Sequence, residues 1–302
     1  MSNRFLPEGR ILDTPENQAA CSSIAALQRA MEAEQILEGR TILCTPEHDL
    51  LVSVGAFTGI IHREEAALGI REGTVRDIAI LSRVGKPISF TVLGIDLSER
   101  KPMLILSRRR GQELTLRHFL HQVPVDSIFP ATVTHMEHFG AFVDIGCGFV
   151  SMIGIENIST SRISHPSRRF SIGQHVYVLL TGKDHVQGRI FISHKELLGT
   201  WAENAAQFAQ GMTVSGYVRG IKEYGDFIEL APNFTGLAEH MEGLREDERV
   251  SVFIKAILPE RMKIKLLIIH RLEPEAHPAP LQYYHKQGIL SNWRYQPPAP
   301  RT

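Results

Sequence analysis

One pattern occurs twice in this chain. HFGAFVDI at 138–145 is matched by EYGDFIEL at 223–230. Both read aromatic, Gly, small or polar residue, Phe, aliphatic, acid, aliphatic. Phe227 follows Phe142 by 85 residues (227 − 142). The likeness runs on into SMIGIENIS (151–159) and TGLAEHME (235–242). A fainter copy, DLLVSVGAFTGIIHREE at 49–65, aligns Val52 with Val143 at an offset of 91 (143 − 52). Each copy closes on an alternating stretch: PMLILSRR (102–109), GRIFISHK (188–195) and MKIKLLII (262–269). A period this long does not suit most solenoids; it suits a small domain followed by a linker.

Within the second copy, alternation and turn residues predict strands near 129–137, 140–146, 149–154, 175–182 and 188–193, with turns at Gly146, Gly148, Gly173 and Gly188. Five short strands in some 70 residues suggest a small closed barrel, most simply an OB-fold. A sandwich of that size leaves more edge unpaired. The predicted fold is therefore mainly β: three tandem five-stranded OB-fold barrels joined by short helices. The barrels are expected at 37–110, 126–194 and 211–271, with helical linkers at 111–125 and 195–210. The second linker, KELLGTWAENAAQFAQG, has Leu198, Trp201, Ala205 and Phe208 at helical spacing and stops at Gly211. In the leading segment (1–36), SSIAALQRAMEAEQILEG predicts a helix with Ser22 or Ser23 as N-cap and Gly39 as stop. The tail, 272–302, is rich in proline and aromatics and is expected to be irregular.

Composition narrows the function. Lys plus Arg is 33 and Asp plus Glu is 33, a net charge of zero. A strongly basic nucleic-acid binder is excluded, but a local patch can still hold phosphate. Cys21, Cys44 and Cys147 are scattered, odd in number and form no CxxC, as expected of a cytoplasmic protein. The start carries no apolar signal core, and no run approaches the ~18–20 apolar residues of a membrane span. HMEH (135–138) resembles a metal pair, but on a regular strand residues three apart face opposite sides. No phosphate-binding P-loop, dinucleotide loop or nucleophile elbow occurs. No metal, cofactor, membrane contact or enzymatic activity is expected.

The FGAFVDIG stretch, the following G-x-x-x-I-S, the D-x-x-x-G-R-I-x-I-S-H-K ending and the Trp-bearing linker together resemble the tandem S1 domain of bacterial small-subunit ribosomal proteins. The likeness is strong over 126–230, fair to 271 and weak over 37–110, and the chain looks like the short S1-type proteins of some Gram-positive bacteria. The resemblance implies a five-stranded OB barrel, one face of which binds single-stranded RNA. It implies that Phe139 and Phe142, and Tyr224 and Phe227, are the stacking aromatics. A family histidine at the end of strand three is matched by His62, but by Gly154 and Glu239 in the later copies. The family Asp and Arg match Asp184 and Arg189; the third copy keeps the basic position as Lys263, and the first keeps Asp96. The first copy has His48 and Leu51 where the aromatics belong.

Alternation agrees with this from the residues alone. Val143 and Ile145 share one face, Phe142 and Asp144 the other. A carboxylate is not buried lightly, so Phe142 is predicted to face outward. Bases stack on such rings with about 1–3 kcal/mol each. An isolated FGAF could cap a barrel end; its repetition with basic companions favours binding. Expected phosphate contacts are Arg162, His165, Arg168, Arg169 and Arg189 in the second copy. In the third they are Arg219, Lys222, Lys255, Lys263 and Lys265, with Asp226 and Glu229 as repelling neighbours. SRRR (107–110) either reaches phosphate or starts the linker. The reading is a monomeric binder of single-stranded RNA acting in translation beside the small ribosomal subunit, its first barrel docking on protein or packing internally. The alternative is a protein-interaction scaffold with vestigial RNA binding.

Overall fold

In the computed structural model, which describes residues 5–98, 100–274 and 280–296, three five-stranded units follow one another. Helices α1 (Pro15–Ala20) and α2 (Ile24–Glu32) precede β1 (Leu37–Cys44), β2 (Leu50–Val54) and β3 (Phe57–Ile61). Helix α3 (Ile78–Leu81), β4 (Pro87–Asp96) and β5 (Met103–Ser107) complete a closed barrel of order β1-β2-β3-β5-β4. Helix α4 (Arg108–His121) leads to β6 (Ile128–Glu137), β7 (Gly140–Asp144), β8 (Val150–Gly154), β9 (His175–Asp184) and β10 (Arg189–Ser193). This second sheet has order β10-β9-β6-β7-β8; the Ser151 hydroxyl spans its seam by donating to the Ile190 carbonyl at 2.6 Å. After α5 (Trp201–Ala205), strands β11 (Thr213–Lys222), β12 (Gly225–Ala231), β13 (Phe234–Ala238), β14 (Arg249–Leu258) and β15 (Lys263–Arg271) form a second closed barrel. The fold is mainly β, in three tandem barrels of OB type.

Alternation builds each core. Ala141, Val143 and Ile145 point into the second barrel with Val133, Val178 and Ile192, while Val218, Ile228 and Val252 do the same in the third. The first strand of each barrel carries a bulge, leaving Ile42, Thr134 and Arg219 as the extra residues. A bulge re-aims a side chain that strict alternation assigns elsewhere.

Three helical expectations need correction. Ser23 does cap α2, accepting from the Ala26 amide, but the helix ends at Glu32, and Glu34 takes the left-handed turn at φ 45°. Gly39 is no stop. It lies in β1, where a Cβ would meet the Ser53 carbonyl at 2.4 Å, so glycine serves close strand approach. The 195–210 segment is not one helix: a 3-10 turn over Lys195–Leu198 breaks at Gly199 (φ 83°) before α5 begins. Its apolar spacing reflects packing of Trp201 and Phe208 on Phe234, in the core of the third barrel. SRRR starts α4, with Ser107 as N-cap and its arginines paired to Glu8, Glu72, Glu113 and Glu34.

The described tail, 280–296, contains no helix and only an isolated bridge between Ile289 and Ser127. Residues 1–4, 275–279 and 297–302 of the two terminal segments lie outside the described residues. Among the described residues no helix is long and apolar enough to cross a membrane.

Candidate nucleic-acid interface

The β6–β7 turn ends at Phe139, and the outward side of β7 begins with Gly140 and Phe142. Gly140 is required there: a Cβ would meet the Ile153 carbonyl at 2.5 Å, so β8 can approach only a glycine. Phe139 is 57% exposed and meets Phe142 edge to face, centroids 6.0 Å apart and planes at 86°. The third barrel repeats this with Tyr224 and Phe227, at 6.2 Å and 89°. Each pair sets two rings at right angles at the start of a strand paired on both sides, a shape that fits stacked or splayed bases.

Strand register extends the platform sideways. In the second barrel His135 (β6) lies opposite Phe142, and Phe142 opposite Met152 (β8). His135 stacks on Phe142 at 6.0 Å and 29°, and Met152 is exposed. Across the seam that Ser151 bridges lies β10, where Phe191 is 49% exposed between buried Ile190 and Ile192. The same row in the third barrel is Gly220, Phe227, Leu237 and Lys265. In the first it is Leu43, Leu51, Ile60 and Ile105, aliphatic throughout. The sequence reading missed His135, Met152 and Phe191. Aligning GRIFISHK with MKIKLLII was the available signal, since it sets Phe191 against outward Lys265.

The cations divide sharply. Arg162, Arg189, Lys222, Lys263 and Lys265 are exposed, and the last two alternate with buried Ile264 and Leu266. Arg189 pairs in register with Asp184, whose carboxylate is engaged in the turn, accepting from the Val186 and Gln187 amides at 2.9 Å each. Lys255 is exposed but bound to Glu239 at 2.9 Å. His62 pairs with Asp49 at 3.0 Å on the first barrel. His165 packs edge-on to His138 at 5.0 Å, next to Phe139 in sequence. HMEH thus divides between two contacts: His135 with Glu137, and His138 with His165.

Arg219 and Arg169 are corrections. Arg169 is buried and the Arg219 side chain nearly so, and each is held in an ion pair rather than turned out as a free cation. Bulged out of alternation, Arg219 binds Glu229 (Nε to Oε2, 2.8 Å) and Asp247. Arg169 reaches the same Glu229 from the second barrel at 2.5 Å. Arg168 is half-exposed, its Nε 3.0 Å from Asp247. The expected repulsion beside Tyr224 and Phe227 is corrected with them. Glu229 is neutralised by two arginines, and Asp226 is fully buried, accepting from the Met241 amide and bonded to His240. This cluster is a joint between barrels. Asn233 adds to it, donating to the Lys195 and Gly199 carbonyls and accepting from the Thr160 amide. Tyr283 of the tail bonds buried His194 (3.0 Å), and the Tyr295 hydroxyl donates to the Asn233 carbonyl (2.7 Å).

Asp144 is the remaining correction. It faces outward from β7 as expected, yet it is buried, because the N-terminal segment covers it. The Glu8, Gly146 and Gly148 amides donate to it at 2.7, 2.8 and 3.0 Å. Burial and the nearby Glu8 charge push it up to about 7, against those hydrogen bonds and Arg108. The Glu8 carboxylate is held by Arg108 (2.7 Å) and Arg83 (3.3 Å), locking the first barrel to the second.

Parts of this chain are similar to known proteins. Residues 122–195 match the S1 RNA binding domain. Over 259 residues the chain is 29% identical to small ribosomal subunit protein bS1 of Leuconostoc lactis, covering 79% of this chain and 58% of that one. It is 32% identical over 158 residues to the bS1 homolog of Bacillus subtilis (strain 168), covering 51% and 41%. The chain therefore spans about half the length of these two curated relatives. A multidomain protein with nucleic acid binding domains from Streptococcus pneumoniae aligns with 80% of this chain and 75% of its own, at 15% identity and a TM-score of 0.27.

Proposed function

We propose that this chain, an S1-domain protein homologous to bacterial bS1, holds single-stranded RNA on its second and third barrels beside the small ribosomal subunit in the cytoplasm. One observation carries the reading: two barrels present the same edge-to-face aromatic pair, an exposed ring (Phe139, Tyr224) against a half-buried one (Phe142, Phe227). A core has no use for such a pair on the outer face, and every base offers a π-face to it. Exposed Arg189 and Arg162 on the second barrel, and Lys222, Lys263 and Lys265 on the third, supply phosphate contacts. The bound RNA is messenger RNA or another unpaired strand, and the protein acts as a non-enzymatic binder.

The first barrel has a different role. Leu43, Leu51, Ile60 and Ile105 occupy the row that carries aromatics elsewhere, which favours a protein contact such as docking on the ribosome. A fluorescence titration of the full chain with poly-U at low and high salt tests the proposal. Tight, salt-weakened binding is expected. No binding at low salt overturns it in favour of a protein scaffold.

A further inference from the structure

The second and third barrels place different chemistry at one position. Phe191 and Lys265 each sit on the last strand, two residues after its first basic residue (Arg189, Lys263), between two buried aliphatics. Lys265 lies beside Leu237, which pairs with Phe227; Met152 pairs with Phe142, and the Ser151–Ile190 hydrogen bond across the seam brings β10 alongside β8, so that alignment with the third barrel assigns Phe191 the place of Lys265. Phe191 also lies opposite Gly182, whose α-carbon clears a floor for the ring: a Cβ added there would meet the ring at 3.5 Å. The ring is thus seated along one side and open on the other. Gly220 serves Phe227 of the third barrel in the same way, with ring contact at 3.8 Å.

We propose that Phe191 is a base-stacking residue, so that the second barrel grips RNA mainly by its bases, and that Lys265 turns the third barrel toward the phosphates. This rests on the RNA reading above and assigns each barrel its part. The second barrel then offers His135, Phe142, Met152 and Phe191 in one row across four strands, with Phe139 at its rim. The third keeps its aromatic pair, but its row ends in an ammonium beside exposed Lys263. Stacking is largely independent of salt, whereas each phosphate contact releases a counterion. The two grips therefore separate by salt dependence and by the presence of bases.

The test uses the full chain and two labelled probes of equal length, oligo-U and an abasic phosphodiester strand. Phe191→Leu keeps an apolar side chain but removes the π-face. It is expected to weaken oligo-U binding by about 5- to 150-fold, the range of one lost stacking contact. Abasic binding and the salt slope stay as in wild type, and Phe191→Tyr restores oligo-U binding. Lys265→Gln is expected to weaken both probes and to reduce the salt slope by about 0.7. Lys265→Phe lowers the slope equally while keeping oligo-U affinity, and it tests the idea even if Phe191→Leu folds poorly. Wild-type oligo-U affinity in Phe191→Leu, equal loss on both probes, or an unchanged slope in both Lys265 variants overturns the division. If the wild type binds oligo-U and these variants behave so, the division alone fails. If the wild type binds neither probe, the RNA reading itself fails.

Discussion

Arg169 of the second barrel and Glu229 of the third form a buried ion pair at 2.5 Å, with Arg219 closing on the same carboxylate from the other side. One acid thus sits between two guanidiniums, of which Arg219 is also held by Asp247. Glu229→Gln leaves the buried Arg169 without an acid partner, and breaking a buried pair from one side costs about 3–5 kcal/mol. Urea denaturation is expected to show that loss, together with looser packing between the barrels in small-angle scattering. Wild-type stability in this variant contradicts the burial described.

Phe142→Ala removes a ring from the outer face of β7. Affinity for poly-U is expected to fall by about 1–3 kcal/mol with the melting temperature nearly unchanged. Val143 and Ile145, on the opposite face, hold the core. Unfolding of the variant shows instead that the ring supports the barrel.

His194 makes stability depend on pH where the tail packs on the second barrel. Its ring is fully buried, with Nδ1 2.7 Å from the Ile158 carbonyl and Nε2 3.0 Å from the Tyr283 hydroxyl. A carbonyl only accepts, so Nδ1 carries the proton of a neutral ring and Tyr283 donates to Nε2. Burial lowers its pKa from 6.5 to about 4, Arg169 adding to the effect and the Ile158 bond opposing it. Below pH 6.5 the unfolded chain takes up a proton that the folded chain refuses until about pH 4. The stability is therefore complete above pH 6.5 and is lost as pH falls toward 4. By linkage the loss at pH 5 is about 2 kcal/mol relative to pH 7.5. Denaturation of wild type and His194→Gln at the two pH values checks this, the variant being expected to lack that component.

Gly140→Ala tests the close strand approach under the platform. The added methyl meets the Ile153 carbonyl at 2.5 Å and cannot be accommodated by a side-chain rotation. A loss of about 1–3 kcal/mol is expected in thermal or urea unfolding, with weaker RNA binding as β7 and β8 separate. Unchanged stability shows that the strands are less tightly apposed than described.

The second barrel was legible in the sequence because its signals are local. Period-two alternation and turn glycines located its strands, and the same alternation put Phe142 outward. What escaped was set by contacts distant along the chain. Asp144 does face out, but burial came from Glu8, 136 residues earlier. Arg219 is expected at phosphate only as a basic residue of the third copy, and the bulge in β11 makes it the extra residue that binds Glu229 instead. Gly39 resembles a helix stop until the neighbouring strand is seen pressing on its α-carbon. Phe191 is a different case: it is not among the positions that the resemblance names, and its outward place on β10 shows only beside Lys265 of the third barrel.

The charged joint also bears on avidity. A flexible tether would let the second and third barrels search for an RNA strand independently. Here Arg169, Glu229, Asn233 and the tail tyrosines fix their separation. For a strand long enough to reach both platforms, capture by one makes capture by the other an intramolecular event. Its effective concentration is then set by a rigid span rather than by linker length. Two individually modest grips can in that way hold one strand firmly, and each can still let go in turn.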